Sequence, residues 1–143
     1  HVGAAGGQSI QVNPFQNQTL EPRLIEPVLS ALRKNLQQDG TFRLQTRGEG
    51  DIVVNGILTR YNRVGLSYAP ADLLTVRDFS LRLAAHVTAI ERRTGRILLD
   101  REVEARTNMR SGVDQSSAER QAVPLLAEDL ATKVTSLLAD GTW

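Results

Sequence analysis

From Arg77 to Ile90 the chain alternates between apolar and polar side chains over a length that few other patterns could occupy. Phe79, Leu81, Leu83, Ala85, Val87 and Ala89 fall on one side, and Asp78, Ser80, Arg82, His86 and Thr88 on the other. A strand points successive side chains to opposite faces, so this stretch predicts a sheet with one dry face and one polar face. An antiparallel sheet tolerates that asymmetry. Thr94-Gly95 then turns the chain, and Ile97, Leu99, Val103 and Ala105 continue the dry face on a returning strand. The pair predicts a long, twisted hairpin, followed by a polar linker from Asn108 to Ser116.

A sheet with one dry face needs a second layer. Leu24, Ile25, Val28, Leu29, Leu32 and Leu36 recur at spacings of three and four and form one helix face. Asp39-Gly40 ends that helix. Pro22 suits its first turn, whereas Pro27 implies either a kink or a helix that begins there. A second helix carries Val123, Leu126, Ala127, Leu130, Val134, Leu137 and Leu138 on one face and stops at Asp140-Gly141. Ser116 and Glu119 have capping-box spacing, and Pro124 lies inside the pattern. Shorter strands are expected around Ile10 and Val12, over Thr41 to Thr46, and over Asp51 to Asn62. Gly56, in mid-strand, implies a bulge or a close backbone approach. Val64 to Val76 is irregular but apolar, with Leu66, Tyr68, Leu73 and Leu74. The expected fold is α+β: a two-layer sandwich with both helices on one face of a mostly antiparallel sheet of about four strands. Residues 1–7 (HVGAAGG) read as a flexible tether, and residues 8–143 as one domain.

Between the first strand and the first helix lies "FQNQTLEPRL". It has no group suited to acid–base or nucleophilic work. Asn17 and Gln18 can satisfy turn backbone groups, and Thr19 is a candidate N-cap. The segment reads as a joint between the first strand and the first helix.

Composition removes several function classes. The net charge is +1, from 17 basic and 16 acidic residues, with no dense basic block. That pattern does not suit duplex nucleic acid. Aromatic residues make up 4%, too few for a stacking platform for single strands. Cysteine is absent, and no two histidines or cysteines stand three or four residues apart, so no metal or other cofactor is expected. No apolar run approaches the roughly 18 residues of a membrane span. His86 would need an orienting carboxylate across the sheet to act as a base, and Asp100 or Glu102 would lie there only under one register. Ser111 to Ser117 has no nucleophile elbow, and Gly48 to Asp51 is a turn, too short for a calcium loop. No catalytic constellation forms, so the chain reads as a binding or assembly component and not an enzyme.

Of the basic residues only Lys34 and Lys133 are lysine. The arginines gather at strand ends: Arg60 and Arg63, Arg77 and Arg82, and Arg92, Arg93 and Arg96. Such clusters are solvated rims, or they present planar forks to phosphate or acidic surfaces.

The segments "HVGAAGGQSIQVNPFQNQTLEPRL", "ALRKNLQQDGTFRL", "DIVVNGILTRYNR", "LRLAAHVTAIERRTGRILL" and "LAEDLATKVTSLLADGTW" resemble, in pattern and order, the LptE family of lipopolysaccharide-assembly lipoproteins. The resemblance implies two helices on a four-stranded sheet and a location on the periplasmic side of the outer membrane. It also implies an acylated cysteine shortly before His1, with residues 1–7 as the tether. It further implies partnership with, and plugging of, an LptD-like outer-membrane barrel, and contact with lipopolysaccharide. No motif transfers the family's contact positions one by one. Arg77, Arg82, His86 and Arg110 lie in the regions where lipid or barrel contact is expected. A second resemblance, of "IQVNPFQNQT" and the following helix, is to periplasmic lipoprotein domains of the CsgG, LpoB and TolB N-terminal kind, which act in secretion, wall-synthase activation or envelope integrity.

Overall fold

The computed structural model describes residues 8–65, 77–111 and 115–141, without the side chains of Arg77, Ser111, Gln115 and Ser116. The tether at residues 1–7 and the apolar stretch with Leu66, Tyr68, Leu73 and Leu74 lie outside the described residues.

Six strands form one sheet: β1 (Ser9–Val12), β2 (Gln16–Asn17), β3 (Arg43–Leu44), β4 (Ile52–Gly65), β5 (Arg77–Glu91) and β6 (Ile97–Ser111). The order across the sheet is β3-β1-β4-β5-β6, with β2 also pairing β4. The sheet is mixed: β1 runs parallel to β3 and β4, and β2 parallel to β4, while the β4-β5 and β5-β6 ladders are antiparallel. The strand count exceeds the expected four in part because β2 is a two-residue strand with no period of its own to read; β3 lies inside the strand expected over Thr41 to Thr46 but spans only two residues.

β1 and β2 follow one line along β4, interrupted at Pro14-Phe15. Ile10 opposes Ile52 and Gln16 opposes Ile57, so the register slips by one residue across the interruption. Pro14 has no N–H to give a ladder, and the break is where that omission costs least. The slip swings Phe15 onto the helix-facing side above Gly56. A Cβ built on Gly56 would meet the Phe15 ring well inside contact distance, so Gly56 is the close approach and not the bulge. The bulge sits three residues later, at Thr59, where the register moves from Leu58 opposite Ala85 to Arg60 opposite Ala84.

α1 (Ile25–Asp39) follows a 3-10 turn (Pro22–Leu24). Pro27 is the third residue of α1, where a backbone N–H has no intrahelical partner to lose, so the proline sits in the first turn without removing a bond. Gly40 takes the left-handed cap at φ 79°, and its N–H donates to the Leu36 carbonyl. The start is capped by Glu21, not Thr19: Glu21 Oε2 accepts the Arg23 N–H at 3.0 Å. Thr19 instead accepts the Glu21 N–H, while Asn17 Oδ1 accepts from both the N–H and the hydroxyl of Thr19.

α2 (Gln115–Ala139) begins one residue before Ser116, so Ser116 is already helical and is not the cap. Pro124 lies inside this helix and deprives the Arg120 carbonyl of its donor. Both residues face solvent, so water can serve that carbonyl. β6 runs on to Ser111, through the first residues of the expected linker; Met109 is buried opposite Phe79 and holds that end of the hairpin to the core.

Both helices cover one face of the sheet. α1 buries Val28, Leu29, Leu32 and Leu36, and α2 buries Val123, Leu126, Leu130, Val134 and Leu138. Beneath them lie Ile52, Val54, Leu58, Leu81, Leu83, Ala85, Val87, Val103 and Ala105. Each fully buried leucine or isoleucine contributes about 1.5–3 kcal/mol. Among the described residues, no helix covers the other face of β4, β5 and β6.

Candidate functional site

The helix-free face is laid out in rungs by the two antiparallel ladders. One end is apolar, with Val53, Ile90 and Ile97. Then come Asn55-Thr88-Asp100, Ile57-His86-Glu102, Arg60-Ala84-Glu104 and Asn62-Arg82-Arg106. Last are Val64-Ser80-Asn108 and Asp78-Arg110. Acidic side chains of β6 therefore occupy its first half and arginines its second.

Small Ala84 lets its neighbours meet above it. Arg60 Nη2 and Glu104 Oε2, two strands apart, close to 3.3 Å over Ala84, which is 1% exposed. His86 Nε2 lies 2.5 Å from Asp100 Oδ1. The carboxylate that sequence alone left to the register is thus present, diagonally across the ladder, with Glu102 directly opposite. The pair is exposed and has no nucleophile or enclosed pocket beside it. Arg110 Nε donates to Asp78 Oδ1 at 3.2 Å and is well exposed.

Arg82 differs from these. It stands directly opposite Arg106, and neither guanidinium has an acidic partner among the described residues. The Arg82 Nε is shielded from water and meets no hydrogen-bond acceptor among the described residues. Directly opposed side chains on adjacent strands lie about 4.5–5.5 Å apart at Cβ, and like charges there destabilise a sheet. Two forks without a carboxylate between them can clasp a phosphate or carboxylate from outside. Of the residues expected from the sequence, Arg82, His86 and Arg110 share this face. Arg77 opens β5 opposite Ser111, and its side chain lies outside the described residues. Arg106 was not singled out by the sequence; equal steps from the Thr94-Gly95 turn would set Arg82 against Thr107, and the irregular register at the turn end of the hairpin brings Arg106 there instead.

The joint at the start of α1 forms a second polar cluster. The bulge at Thr59 turns Tyr61 and Arg63 to the helix side, opposite Leu83 and Leu81. There Arg63 Nη1 meets Glu119 Oε1 at 3.3 Å and lies over the Phe79 ring. Arg23 reaches the other Glu119 oxygen at 3.9 Å and Glu21 at 2.7 Å. Burial, and then the Glu119 carboxylate, push the Tyr61 phenol above its ordinary range. Hydrogen bonds from the Arg23 side chain and N–H hold Glu21 down at about 2. The cluster ties both helix starts to β4. Leu20, beside it, is fully exposed.

Among the described residues, no group of three His, Asp or Glu side chains is placed to hold a metal, and no helix is long and apolar enough to cross a membrane.

Residues 7–138 match the model of the LptE family, described as lipopolysaccharide-assembly. No curated protein matches the sequence. Similar folds occur in a minor lipoprotein from Acinetobacter baumannii, at 14% identity and TM-score 0.62 with 93% of each chain covered. A hypothetical protein from Chlamydia trachomatis is similar at 7% identity and TM-score 0.68, covering 94% of this chain and 96% of that one. A lipoprotein from Neisseria meningitidis has TM-score 0.52 at 14% identity, covering 94% and 99%.

Proposed function

Since the chain belongs to the LptE family of lipopolysaccharide-assembly proteins, we propose that it is a non-catalytic scaffold that partners and plugs an LptD-like outer-membrane barrel. It acts from the periplasmic side of the outer membrane, tethered by a lipidated cysteine upstream of residues 1–7. The observation that carries this reading is the helix-free sheet face, polar over most of its length, on a chain matched to the family over residues 7–138. A polar face suits the hydrated lumen of a barrel, where hydrogen bonds and shape decide the fit more than apolar anchors. The family match favours this over the secretion and wall-synthase reading.

Arg82 and Arg106 are the proposed contact for the phosphate groups of lipopolysaccharide, with Arg110 and His86 on the same face and Arg77 at the strand start. The exposed Leu20 on the joint is the proposed apolar contact at the rim. The test is co-expression of the precursor with the barrel of its own genome, followed by affinity purification. Recovery of both chains together is expected; the barrel's absence from the purified fraction overturns the reading. For the lipid contact, the R82E/R106E double variant is expected to retain at least about tenfold less lipopolysaccharide than the parent, and equal retention rejects the site.

A further inference from the structure

Among the described residues β6 is an edge strand, paired with β5 on one side only. An edge strand presents unpaired N–H and C=O groups, and proteins commonly cover them. Here the cover is partial. Asp129 Oδ2 accepts the Arg106 N–H at 2.9 Å, and Lys133 Nζ donates to the Glu104 carbonyl at 3.0 Å. Both partners come from α2, so residues 104 and 106 direct their backbone groups outward, away from β5. Alternate residues of a strand point the same way. Asp100 and Glu102 therefore also direct their N–H and C=O outward, and no protein group among the described residues meets them.

Beside this open stretch lies a groove of about 830 Å³ between Ile97–Glu104 of β6 and the last turns of α2. Leu98, Leu99, Val103 and Leu137 supply its apolar lining, and Ile97 at its mouth is 61% exposed. On the opposite face of the same strand stand Asp100 and Glu102, followed by Glu104.

We propose that residues 100–102 of β6 form a strand-addition site for an extended polypeptide in which apolar residues alternate with lysine or arginine. Main-chain bonds to Asp100 and Glu102 would hold it, its apolar side chains would enter the groove under α2, and its cations would lie beside the carboxylates. The charge pattern also selects against a second copy. With 104 and 106 covered by α2, antiparallel pairing of two β6 edges must centre on or before Glu102. Registers centred between Asp100 and Glu102 set these acids against the same acids of the other chain, where like charges oppose pairing. The edge offers this site whether or not the helix-free face meets a barrel.

The test uses the full chain, labelled for amide NMR. The probe is a capped Val-Lys-Val-Lys-Val-Lys-Val peptide, and its glutamate counterpart is the control. The lysine peptide is expected to slow exchange of the Asp100 and Glu102 amides and to bind on the order of tenfold tighter than the glutamate peptide. Glu102→Pro removes only an outward N–H, which an edge strand tolerates, and is expected to abolish the protection. Glu102→Lys is expected to erase or reverse the preference, and it keeps the question answerable if the proline variant does not fold. Equal binding of both peptides, no binding of either, or unchanged protection in Glu102→Pro overturns the proposal. So does concentration-dependent dimerisation that protects the same two amides, which would put a second copy there instead.

Discussion

Gly56→Ala tests the packing that joins β1, β2 and α1. The added Cβ would meet three atoms of the Phe15 ring, all closer than the 3.0 Å that real Cβ contacts respect. Phe15 is 5% exposed and lies in the core beneath α1, so the ring cannot simply swing into water. Restoring contact distance means shifting the ring by about 1 Å, and gaps of that size forfeit a quarter to a half of each contact's attraction. Overpacking of this kind costs about 1–3 kcal/mol. Replacing glycine stiffens the unfolded chain and returns about 0.4–1 kcal/mol. The net expectation is a loss of about 1–2 kcal/mol, or roughly 4–8 °C in Tm for a domain of this length. Urea titration should show a lower midpoint at an unchanged slope. In a Phe15→Leu background, where the ring is gone, the cost of Gly56→Ala should fall by more than half. A variant as stable as the parent, or one equally costly in both backgrounds, would refute the close-approach account.

Other perturbations address the polar clusters. Glu21 is held at about 2, below its ordinary 4.5, so its stabilising contribution is present above pH 4.5 and lost as pH falls toward 2. Thermal melts of Glu21→Gln should therefore lie below the parent near neutrality and converge with it at about pH 2; a constant gap across that range would exclude the Arg23 contact as its source. Arg106→Gln removes one of two opposed cations and should raise stability by about 0.2–1 kcal/mol while weakening retention of phosphorylated lipid; a destabilised variant would mean the pair is neutralised. His86→Ala breaks an exposed pair and should change stability by less than about 1 kcal/mol by urea titration, with a larger loss pointing to a structural role.

The sequence exposed the long elements because their periods persist. The alternation from Phe79 to Ala89 identified β5 and its buried face, and the three-four spacing from Leu24 to Leu36 identified the face of α1. What stayed hidden was set by tertiary contacts. β2 is too short to show a period and exists because β4 offers an edge to pair with, while the strand expected over Thr41 to Thr46 shrinks to the two residues of β3 that pair with β1. The bulge at Thr59 leaves no mark in the residue types, yet it turns Arg63 from an apparent strand-end arginine into a partner of Glu119. Thr19 had the right chemistry for a cap, but Asn17 engages it and Glu21 takes the cap. For the candidate site, Arg82 and His86 were legible as members of a polar face, whereas Arg110 was read in a linker and lies on β6. Their inequality was not legible: Asp100 and Asp78 sit beside His86 and Arg110, whereas Arg82 meets Arg106, and that distinction depends on register.

In the proposed function the helix-free face meets the lumen of an outer-membrane barrel. The most direct measurement places a photo-crosslinking amino acid at Asn62, in the same rung as Arg82 and Arg106, in cells that also produce the cognate LptD-like barrel. The account predicts a crosslinked product of one chain with one barrel, joined at a barrel residue that faces the lumen. A product joined at a lipid-facing or periplasmic residue, or no product when both proteins are present, would contradict it.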